Sequence, residues 1–423
     1  MTNDRLLLHL KERALNKLAL MVLGMHRSGT SATSGMLSLC GFDLGRSVMG
    51  GNWANPKGFY ENLLITDFNE DLLHYLHVNW HNTLGLHGEW WKLEQIDLYK
   101  GKLWKIIQKD FPDSDLLLFK DPRLCVLLPL YITVLKELNI NFSFILTSRH
   151  PVDIAKSLLE RDSFIETKSY NLWMDYMLKA ENYSRGHSRL VVNYDEILRE
   201  PLRILSKINK IFSLNLTITN ELNVQITNFI EPQLNHSRCE NLPINSAASE
   251  IMHLFDLFQK LIESQVTQEI EKEFDWSFNK FYSFYTRQRF PKITILTKVN
   301  ENTENLEKTI LSVTTQDYPD LEFIIIKETS RDEINSVLAK NAYLISQIID
   351  MTCSGIESVQ ELQKKSSHGD WIGILENNDT FLNSQALSVF INFHSLKEEM
   401  VRADEITDHN NFSLLKYDYF INM

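Results

Sequence analysis

Short apolar runs alternate with amphipathic segments along the first half of the chain. The apolar runs cover residues 18–23, 116–119, 142–147 and 190–192. Runs this short and this predominantly apolar are typical of strands buried on both faces of a parallel sheet. Between them, residues 32–40 and 152–159 carry apolar side chains at helical spacing. The pattern therefore predicts an α/β domain in which helices flank a parallel sheet.

The segment after the first apolar run has the glycine spacing of a phosphate-binding loop. Residues 24–31 read GMHRSGTS, to be compared with the P-loop pattern GxxxxGK followed by Ser or Thr. Thr30 stands where that pattern has its lysine, so the only strong cation in the loop is Arg27. Backbone N–H groups of a P-loop bind phosphate oxygens, and its lysine reaches the β- and γ-phosphates. A loop without this lysine indicates a nucleotide that lacks a γ-phosphate.

A second pair of polar residues follows the third apolar run. Arg149 stands at the carboxyl end of the strand predicted at 142–147, where open α/β sheets bind their ligands. Ser157 lies two helical turns further on and can face the same crevice. A guanidinium forms paired, charge-assisted hydrogen bonds with phosphate oxygens. Arg149 and Ser157 are therefore the predicted site of a second phosphate.

Together these segments resemble the sulfotransferases that use 3′-phosphoadenosine 5′-phosphosulfate (PAPS). That family combines a modified P-loop with an Arg that is followed eight residues later by a Ser, which is the spacing of Arg149 and Ser157. The stretch LVVNYDEIL at 190–198 is similar to the family's strand that ends in Tyr-Glu-Asp-Leu. The stretch NPKGFYEN at 55–62 is similar to a segment of bacterial members. The resemblance covers about residues 15–240.

The resemblance implies which residues bind PAPS. It assigns the 5′-phosphosulfate to Arg27, Ser28, Gly29, Thr30 and Ser31. It assigns the 3′-phosphate to Arg149, Ser157 and Arg238, the last in a late loop, and it brings Tyr194 near the adenine. The implied fold is the sulfotransferase fold, a P-loop-like parallel sheet flanked by helices.

Sulfuryl transfer moves SO3 between two oxygens and develops charge on the bridging oxygen of the departing nucleotide. The protein must hold donor and acceptor in line and neutralise that oxygen. Arg27 is the predicted neutralising group, and Lys120, at the end of the run at 116–119, is predicted to assist the sulfonyl group. No metal is expected, because this transfer needs no metal clamp and the spacing of His74, His77 and His81 is not the HExxH zinc pattern.

An acceptor hydroxyl also needs a general base. Glu61 is the first candidate, because it lies in a loop with Gly, Pro and aromatic neighbours, where burial can raise the pKa of its carboxyl. His26, within the loop itself, is the second candidate, and Asp121 is the third. A structural role for Glu61, as a helix cap or an ion-pair partner, stays open.

The pattern changes beyond residue 240. Residues 246–290 have helical spacing and predict a helical bridge. Residues 291–423 then begin a new strand–helix pattern, in which SVTTQDYP at 312–319 and GDWIGILENND at 369–379 resemble family 2 glycosyltransferases, over about residues 291–395. The predicted domains are thus a sulfotransferase domain at 1–245, the bridge, and a smaller, partial GT-A-like α/β domain.

The glycosyltransferase-like region departs from its family at the residues that carry chemistry. The Asp that reads the nucleotide base is absent, since the chain has KETS at 327–330. The metal motif keeps Asp379, with Glu376 and Asn378 around it, and Asn supplies no charge for a divalent cation. The region is therefore interpreted as degenerate or truncated, with a role in docking, stability or glycan association.

Composition limits the partners. The 423 residues carry a net charge of −12, which argues against general binding to nucleic acid or anionic membranes. The four cysteines have neither metal nor redox spacing and fit a cytoplasmic location, and no membrane span is predicted. The hypothesis is a PAPS-dependent sulfotransferase with a carbohydrate or glycan-precursor acceptor. A P-loop kinase and a non-catalytic nucleotide-binding scaffold are the alternatives, and a homo-oligomer is left open.

Overall fold

The computed structural model describes residues 17–50, 58–84, 86, 88–230, 248–263, 266–285, 290–300, 305–351, 368–376, 379–381, 383–395 and 421–422. The chain divides into two compact units. The first comprises residues 1–72, 88–161 and 173–279, and the second comprises 73–87, 162–172 and 280–423. The second unit thus includes two short segments from the amino-terminal half of the chain. The domain limits drawn from the sequence stay a prediction.

The first unit contains a four-stranded parallel sheet. Its strands are β1 (Leu18–Leu23), β2 (Leu116–Lys120), β3 (Asn141–Ser148) and β4 (Arg189–Asn193). They lie in the order β2-β1-β3-β4. The chain leads from β1 to β2 at one edge of the sheet and from β3 to β4 at the other edge. The neighbouring strands β1 and β3 therefore form a topological switch point. Ligands of open α/β sheets bind at the carboxyl ends of such strands.

Helices follow the strands of the first sheet, as the apolar spacing predicts. In chain order they are α1 (Thr30–Leu39), α2 (Leu63–Tyr75), α3 (Asp97–Asp110), α4 (Leu124–Glu137), α5 (Pro151–Asp162), α6 (Glu166–Ser184), α7 (Tyr194–Arg199), α8 (Pro201–Phe212), α9 (Asn220–Phe229), α10 (Ala248–Glu263) and α11 (Gln268–Phe284). None of the helices in the described part of the chain has the length and apolar character needed to cross a membrane.

One face of the first sheet packs against α1, α8 and α9. The core on this face joins strand side chains such as Val22 and Ile145 to the buried stripes of the helices. In α8 these are Ile204, Leu205 and Ile208, whose spacing places them on one face. Burial of each such side chain stabilises the fold by about 1.5–3 kcal/mol. The apolar positions that recur at helical spacing in α8 are thus the ones that pack against the sheet.

The helical spacing of residues 246–290 corresponds to two helices, α10 and α11. Within the first unit, α10 lies beside β4, where Asn193 Nδ2 donates to Gln259 Oε1 at 3.0 Å. The Phe255 ring meets the His150 ring edge-on, with a centroid distance of 5.0 Å. Aromatic and amide contacts thus hold α10 near the end of β3.

The second unit contains a smaller sheet. Its strands are β5 (Ile293–Val299), β6 (Leu321–Lys327), β7 (Gln347–Asp350), β8 (Trp371–Glu376) and β9 (Ile421–Asn422), in the order β7-β6-β5-β8-β9. Only the β8–β9 pair is antiparallel among the described strands. The helices are α12 (Leu306–Thr314), α13 (Asp332–Asn341) and α14 (Ala386–Ser395). The predicted class, two α/β regions with parallel sheets and flanking helices, is confirmed.

The SVTTQDYP segment at 312–319 has a structural explanation. Gln316 is fully buried, and its Nε2 donates to Ser312 O at 2.9 Å and to Asn383 O at 2.7 Å. Its Oε1 accepts a hydrogen bond from Leu387 N at 3.2 Å. Tyr318 OH donates to Pro291 O at 2.6 Å. The segment therefore joins the end of α12 to the start of α14 and to the chain before β5.

Lys168 anchors the segment of residues 162–172 within the second unit. It is buried, and its Nζ donates to Thr314 O and to Gln316 O, the latter at 3.1 Å. These carbonyls lie at the carboxyl end of α12, where a cation is favoured by the helix dipole. Burial lowers the pKa of Lys168 to about 7, against the attraction of Asp317 and Asp162.

We expect Gln316→Leu to destabilise the second unit by about 2–4 kcal/mol, because it leaves the buried Leu387 N–H and the Ser312 and Asn383 carbonyls without their partner. Urea denaturation and amide hydrogen exchange at Leu387 measure this loss. Gln385→Leu is the matched control, since Gln385 is exposed in the same region. Equal stability of the two variants would contradict the role assigned to Gln316.

Candidate active site

The loop between β1 and α1 is held by two glycines that no other residue can replace without strain. Gly24 has a φ of 150°, and a Cβ there would overlap with Thr147 Oγ1. Gly29 has a φ of 95°, and a Cβ there would overlap with the Tyr194 ring. The loop is therefore pressed against the end of β3 on one side and the start of α7 on the other. This close approach explains the glycine spacing that the sequence shows.

Arg27, Arg149 and Ser157 come together at the β1/β3 switch point. Arg27 has a φ of 69°, a left-handed backbone that is uncommon for a non-glycine residue and is often found at functional sites. Its Nε donates to Ser157 Oγ at 2.8 Å, while an Arg149 terminal nitrogen donates to Arg27 O at 2.8 Å. Two guanidinium groups and one hydroxyl thus converge on the loop.

Tyr194 completes this side of the loop. The Arg149 guanidinium carbon lies 4.7 Å from the centroid of the Tyr194 ring, a cation–π arrangement. Arg149 Nε lies 3.9 Å from Asp153 Oδ2, one turn into α5. Burial raises the pKa of the Tyr194 hydroxyl, against the attraction of Arg149 and Arg27. The aromatic ring therefore stands neutral beside two cations.

Thr147 and Cys125, which sequence reasoning missed, form hydrogen bonds that hold the loop between β1 and α1. Thr147 Oγ1 lies 2.8 Å from Ser28 Oγ and donates to Leu23 O at 3.1 Å. Gly24 N donates to the Cys125 sulfur at 3.0 Å, and burial raises the pKa of the Cys125 thiol to about 12. The one available signal was a hydroxyl, Thr147, in an otherwise apolar strand end. Nothing in the spacing indicated Cys125.

Lys120 and Glu61 form a buried ion pair on the other side of the loop. Lys120 Nζ donates to Glu61 Oε1, to Phe59 O at 3.0 Å and to Ser31 Oγ at 3.2 Å. Both charged side chains are almost fully buried. Lys120 therefore joins the end of β2, the start of α1 and the 59–61 segment. The structure brings together two residues predicted separately, one to assist the sulfonyl group and one to act as a base.

The electrostatics of Glu61 suit a proton acceptor better than those of His26. Burial raises the pKa of the Glu61 carboxyl, against the charge and hydrogen bond of Lys120. Burial, and then the cations Arg161, Arg123, Lys120 and Arg27, hold the pKa of His26 well below its usual range. A base works best when its pKa lies near the working pH, so the fall at His26 disfavours that residue.

Asp121, the third candidate base, belongs to a buried polar network. Its Oδ2 accepts from Asn69 Nδ2 at 2.9 Å, and its Oδ1 accepts from Arg123 N at 2.9 Å. Arg123 also pairs with Glu70, and Tyr131 OH donates to Asn69 Oδ1 at 2.7 Å. With both oxygens engaged, Asp121 is suited to orienting Arg123.

The start of α1 offers backbone donors at the centre of this arrangement. The first helical bond at this end runs from Thr33 N to Gly29 O at 3.1 Å, and no side chain of the described residues caps the helix. The N–H groups of the first turn, including those of Thr30 and Ser31, are the ones that bind anions at helix N-termini. Arg238 and residues 55–57 lie outside the described residues.

The carboxyl edge of the second sheet carries neutralised charges. Lys327 Nζ lies 2.6 Å from Asp350 Oδ2, and Lys298 Nζ lies 3.6 Å from Glu328 Oε1. Asp379 follows β8, whereas the side chain of Glu376 and the whole of Asn378 lie outside the described residues. Among the described residues of this edge, both lysines pair with carboxylates, whereas a hard divalent cation needs clustered carboxylates.

Comparison with known proteins gives fold-level similarity alone. No family model matches the chain, and no curated protein is significantly similar to it. The sulfotransferase domain of the Synechococcus PCC 7002 olefin synthase is 15% identical, with a TM-score of 0.34, over 62% of this chain and 94% of that domain. Sulfotransferase STF1 from Mycobacterium tuberculosis is 12% identical, with a TM-score of 0.31, over 60% of this chain and 81% of that one.

Glycosyltransferase structures match a smaller share of the chain. TarS from S. aureus is 14% identical, with a TM-score of 0.23, over 25% of this chain. The match spans only 20% of the length of TarS. Similarities this slight carry no argument about the activity of the chain.

We expect Lys120→Met to destabilise the first unit by roughly 3–5 kcal/mol, because it leaves the Glu61 carboxylate buried without its partner. The double variant with Glu61→Gln should lose less than this single variant. Lys102→Met, which breaks the exposed pair with Asp71 at 2.8 Å, should cost less than about 1 kcal/mol. Urea denaturation of the four proteins provides the comparison.

The loss of stability caused by Lys120→Met should depend on pH. A carboxyl whose pKa is raised on folding contributes most stability below its unfolded pKa of about 4.3, and stability falls as pH rises through the folded value. Loss of Lys120 raises the pKa of Glu61 further. The cost of Lys120→Met should therefore be larger at about pH 8 than at about pH 5, and a pH-independent cost would contradict the buried ion pair.

Proposed function

We propose that the chain is a sulfotransferase that moves a sulfuryl group from PAPS to an acceptor hydroxyl. The observation that carries the proposal is the convergence of Arg27, Arg149 and Ser157 beside a P-loop-like turn that lacks the P-loop lysine. The proposal assigns one anion to the first turn of α1 and a second anion to Arg149 and Ser157. A nucleotide with phosphates at both its 5′ and 3′ positions fits two such sites.

In the proposed reaction the acceptor oxygen attacks the sulfur, and the bond from sulfur to the bridging oxygen breaks. The product nucleotide, 3′-phosphoadenosine 5′-phosphate, leaves with the negative charge of that oxygen. Arg27 neutralises this charge, and Glu61 accepts the proton of the acceptor hydroxyl. Lys120, which donates to Glu61, assists the sulfonyl group and releases Glu61 for the proton as it does so.

The acceptor proposed for this activity is a carbohydrate or a glycan precursor. Support comes from the glycosyltransferase-like sequence in the same chain and from the glutamate base, and both arguments rest on association. The location proposed is the cytoplasm, and the free thiols Cys40 and Cys125 support it. For the second unit we propose no glycosyl transfer, because its carboxyl edge holds Lys–carboxylate pairs.

Calorimetric binding of 3′-phosphoadenosine 5′-phosphate, with ADP and ATP as comparison ligands, tests the nucleotide class. We expect a clear preference for the 3′-phosphate. Arg149→Gln and Ser157→Ala should reduce that preference by about 10- to 100-fold, which corresponds to the loss of charge-assisted hydrogen bonds. Arg203→Gln and Ser206→Ala, on exposed α8 positions, are the matched controls.

Binding without preference over ADP would remove the basis of the proposal. Tighter binding of ATP with Mg²⁺, together with phosphoryl transfer, would instead establish the kinase alternative.

Turnover tests the chemical roles. With PAPS and a panel of glycan and phenol acceptors, we expect a sulfated product from the unaltered protein. Glu61→Gln should lower kcat by about 100-fold or more while donor binding changes little, since general-base catalysis contributes 10²–10⁴-fold. His26→Asn should lower kcat less than Glu61→Gln does. Intact donor binding with no product from any acceptor would favour the non-catalytic scaffold.

A further inference from the structure

Two histidines and one glutamate meet at the amino-terminal edge of the second sheet. They are His77, from the 73–87 segment, Glu322, the second residue of β6, and His368, which precedes β8. One ligand atom from each lies within 4.8 Å of the others. The spacing predicted no such group, because the three residues are far apart in the chain. This edge lies opposite the carboxyl ends of the strands, where ligands of open α/β sheets bind.

The Glu322 carboxylate is held in a fixed orientation. Its Oε2 accepts hydrogen bonds from Thr294 Oγ1 at 2.6 Å and from His368 N at 2.9 Å. Thr294 Oγ1 in turn accepts from Gly369 N at 2.9 Å. The other carboxylate oxygen of Glu322, Oε1, lies 2.9 Å from His368 Nδ1. Supporting hydrogen bonds of this kind orient the carboxylates that ligate metal ions.

His77 is held by its backbone and carries an exposed ring. Its carbonyl accepts from Lys292 Nζ at 2.8 Å, and Lys292 is itself paired with Asp320 at 2.6 Å. The His77 and His368 rings are stacked, with a centroid distance of 3.3 Å and an angle of 19° between planes. The two rings therefore lie side by side at this edge of the sheet.

We propose that His77, Glu322 and His368 bind one divalent transition-metal ion, with Zn²⁺ as the best fit. Two imidazole nitrogens and one carboxylate oxygen form a donor set that suits zinc and not Mg²⁺ or Ca²⁺. Zinc bonds of about 2.0–2.2 Å require small shifts of the ligand atoms, since Glu322 Oε1 and His368 Nδ1 already lie 2.9 Å apart and the ligand atom of His77 lies within 4.8 Å of the other two. Rotation of the exposed His77 ring allows the larger shift. Water completes the coordination on the exposed side.

The ion would cross-link the 73–87 segment to the sheet of the second unit. A metal that binds the folded state and not the unfolded state raises stability by mass action. The proposed site shares no residue with the loop of residues 24–31. It does not depend on the proposed transfer reaction, so either proposal can fail alone.

Titration of the chelator-treated full chain with ZnCl2 tests the proposal, with CoCl2 as a spectroscopic probe. We expect one ion per chain, a rise in melting temperature, and Co²⁺ absorption bands of mixed nitrogen and oxygen ligation. His77→Ala and His368→Ala should each weaken Zn²⁺ binding by about 100-fold or more and abolish the thermal shift. His77 is exposed, so its substitution should leave the fold intact.

His253→Ala is the matched control, since His253 lies 4.0 Å from Glu273 without a second imidazole. It should bind Zn²⁺ as the unaltered protein does. Binding that is unchanged in both His77→Ala and His368→Ala would overturn the proposal. Loss in His74→Ala with retention in His368→Ala would also overturn it, in favour of a site on the helix face.

Discussion

Parallel pairing of β1 with β3 brings together residues that are more than a hundred positions apart in the chain. Because Leu23 is in register with Leu146, the turn after β1 and the arginine after β3 leave the sheet side by side. Arg27, Arg149 and Ser157 then meet over a short distance. The close approach also explains the loop itself, since Thr147 leaves no room for a side chain at Gly24. The meeting of these three residues follows from strand order.

Charge is distributed unevenly in this acidic protein. The chain carries a net charge of −12, yet Arg27, Lys120 and Arg149 all surround one loop. Buried charges are costly unless they are paired, and each of these cations donates a hydrogen bond within the first unit. The Lys120–Glu61 pair is the most deeply buried example. Burial makes such a pair costly to break, because removal of one partner leaves the other charge buried and unpaired.

The second unit depends on residues outside its own sheet. Lys168 binds the carboxyl end of α12, and Trp80 Nε1 donates to Tyr343 O at 2.7 Å. Both come from short segments in the amino-terminal half of the chain. His77 comes from one of the same segments, so the proposed metal site reinforces a connection that hydrogen bonds already make.

Local sequence determined the four strands of the first sheet, the helices that follow β1 and β3, and the glycine loop between β1 and α1, because hydrophobic periodicity and glycine spacing are local properties. It also singled out Arg149, Ser157, Lys120 and Glu61 as separate candidates. Only the tertiary structure decided that Lys120 and Glu61 form one pair, that Thr147 and Cys125 hold the loop, and that His77 meets Glu322 and His368. These contacts depend on strand order and on which segments join each unit. Strand order and the assignment of segments to units produce no periodic pattern in the sequence. A buried ion pair or a pair of stacked rings forms between positions that are far apart in the chain, and no local pattern connects them.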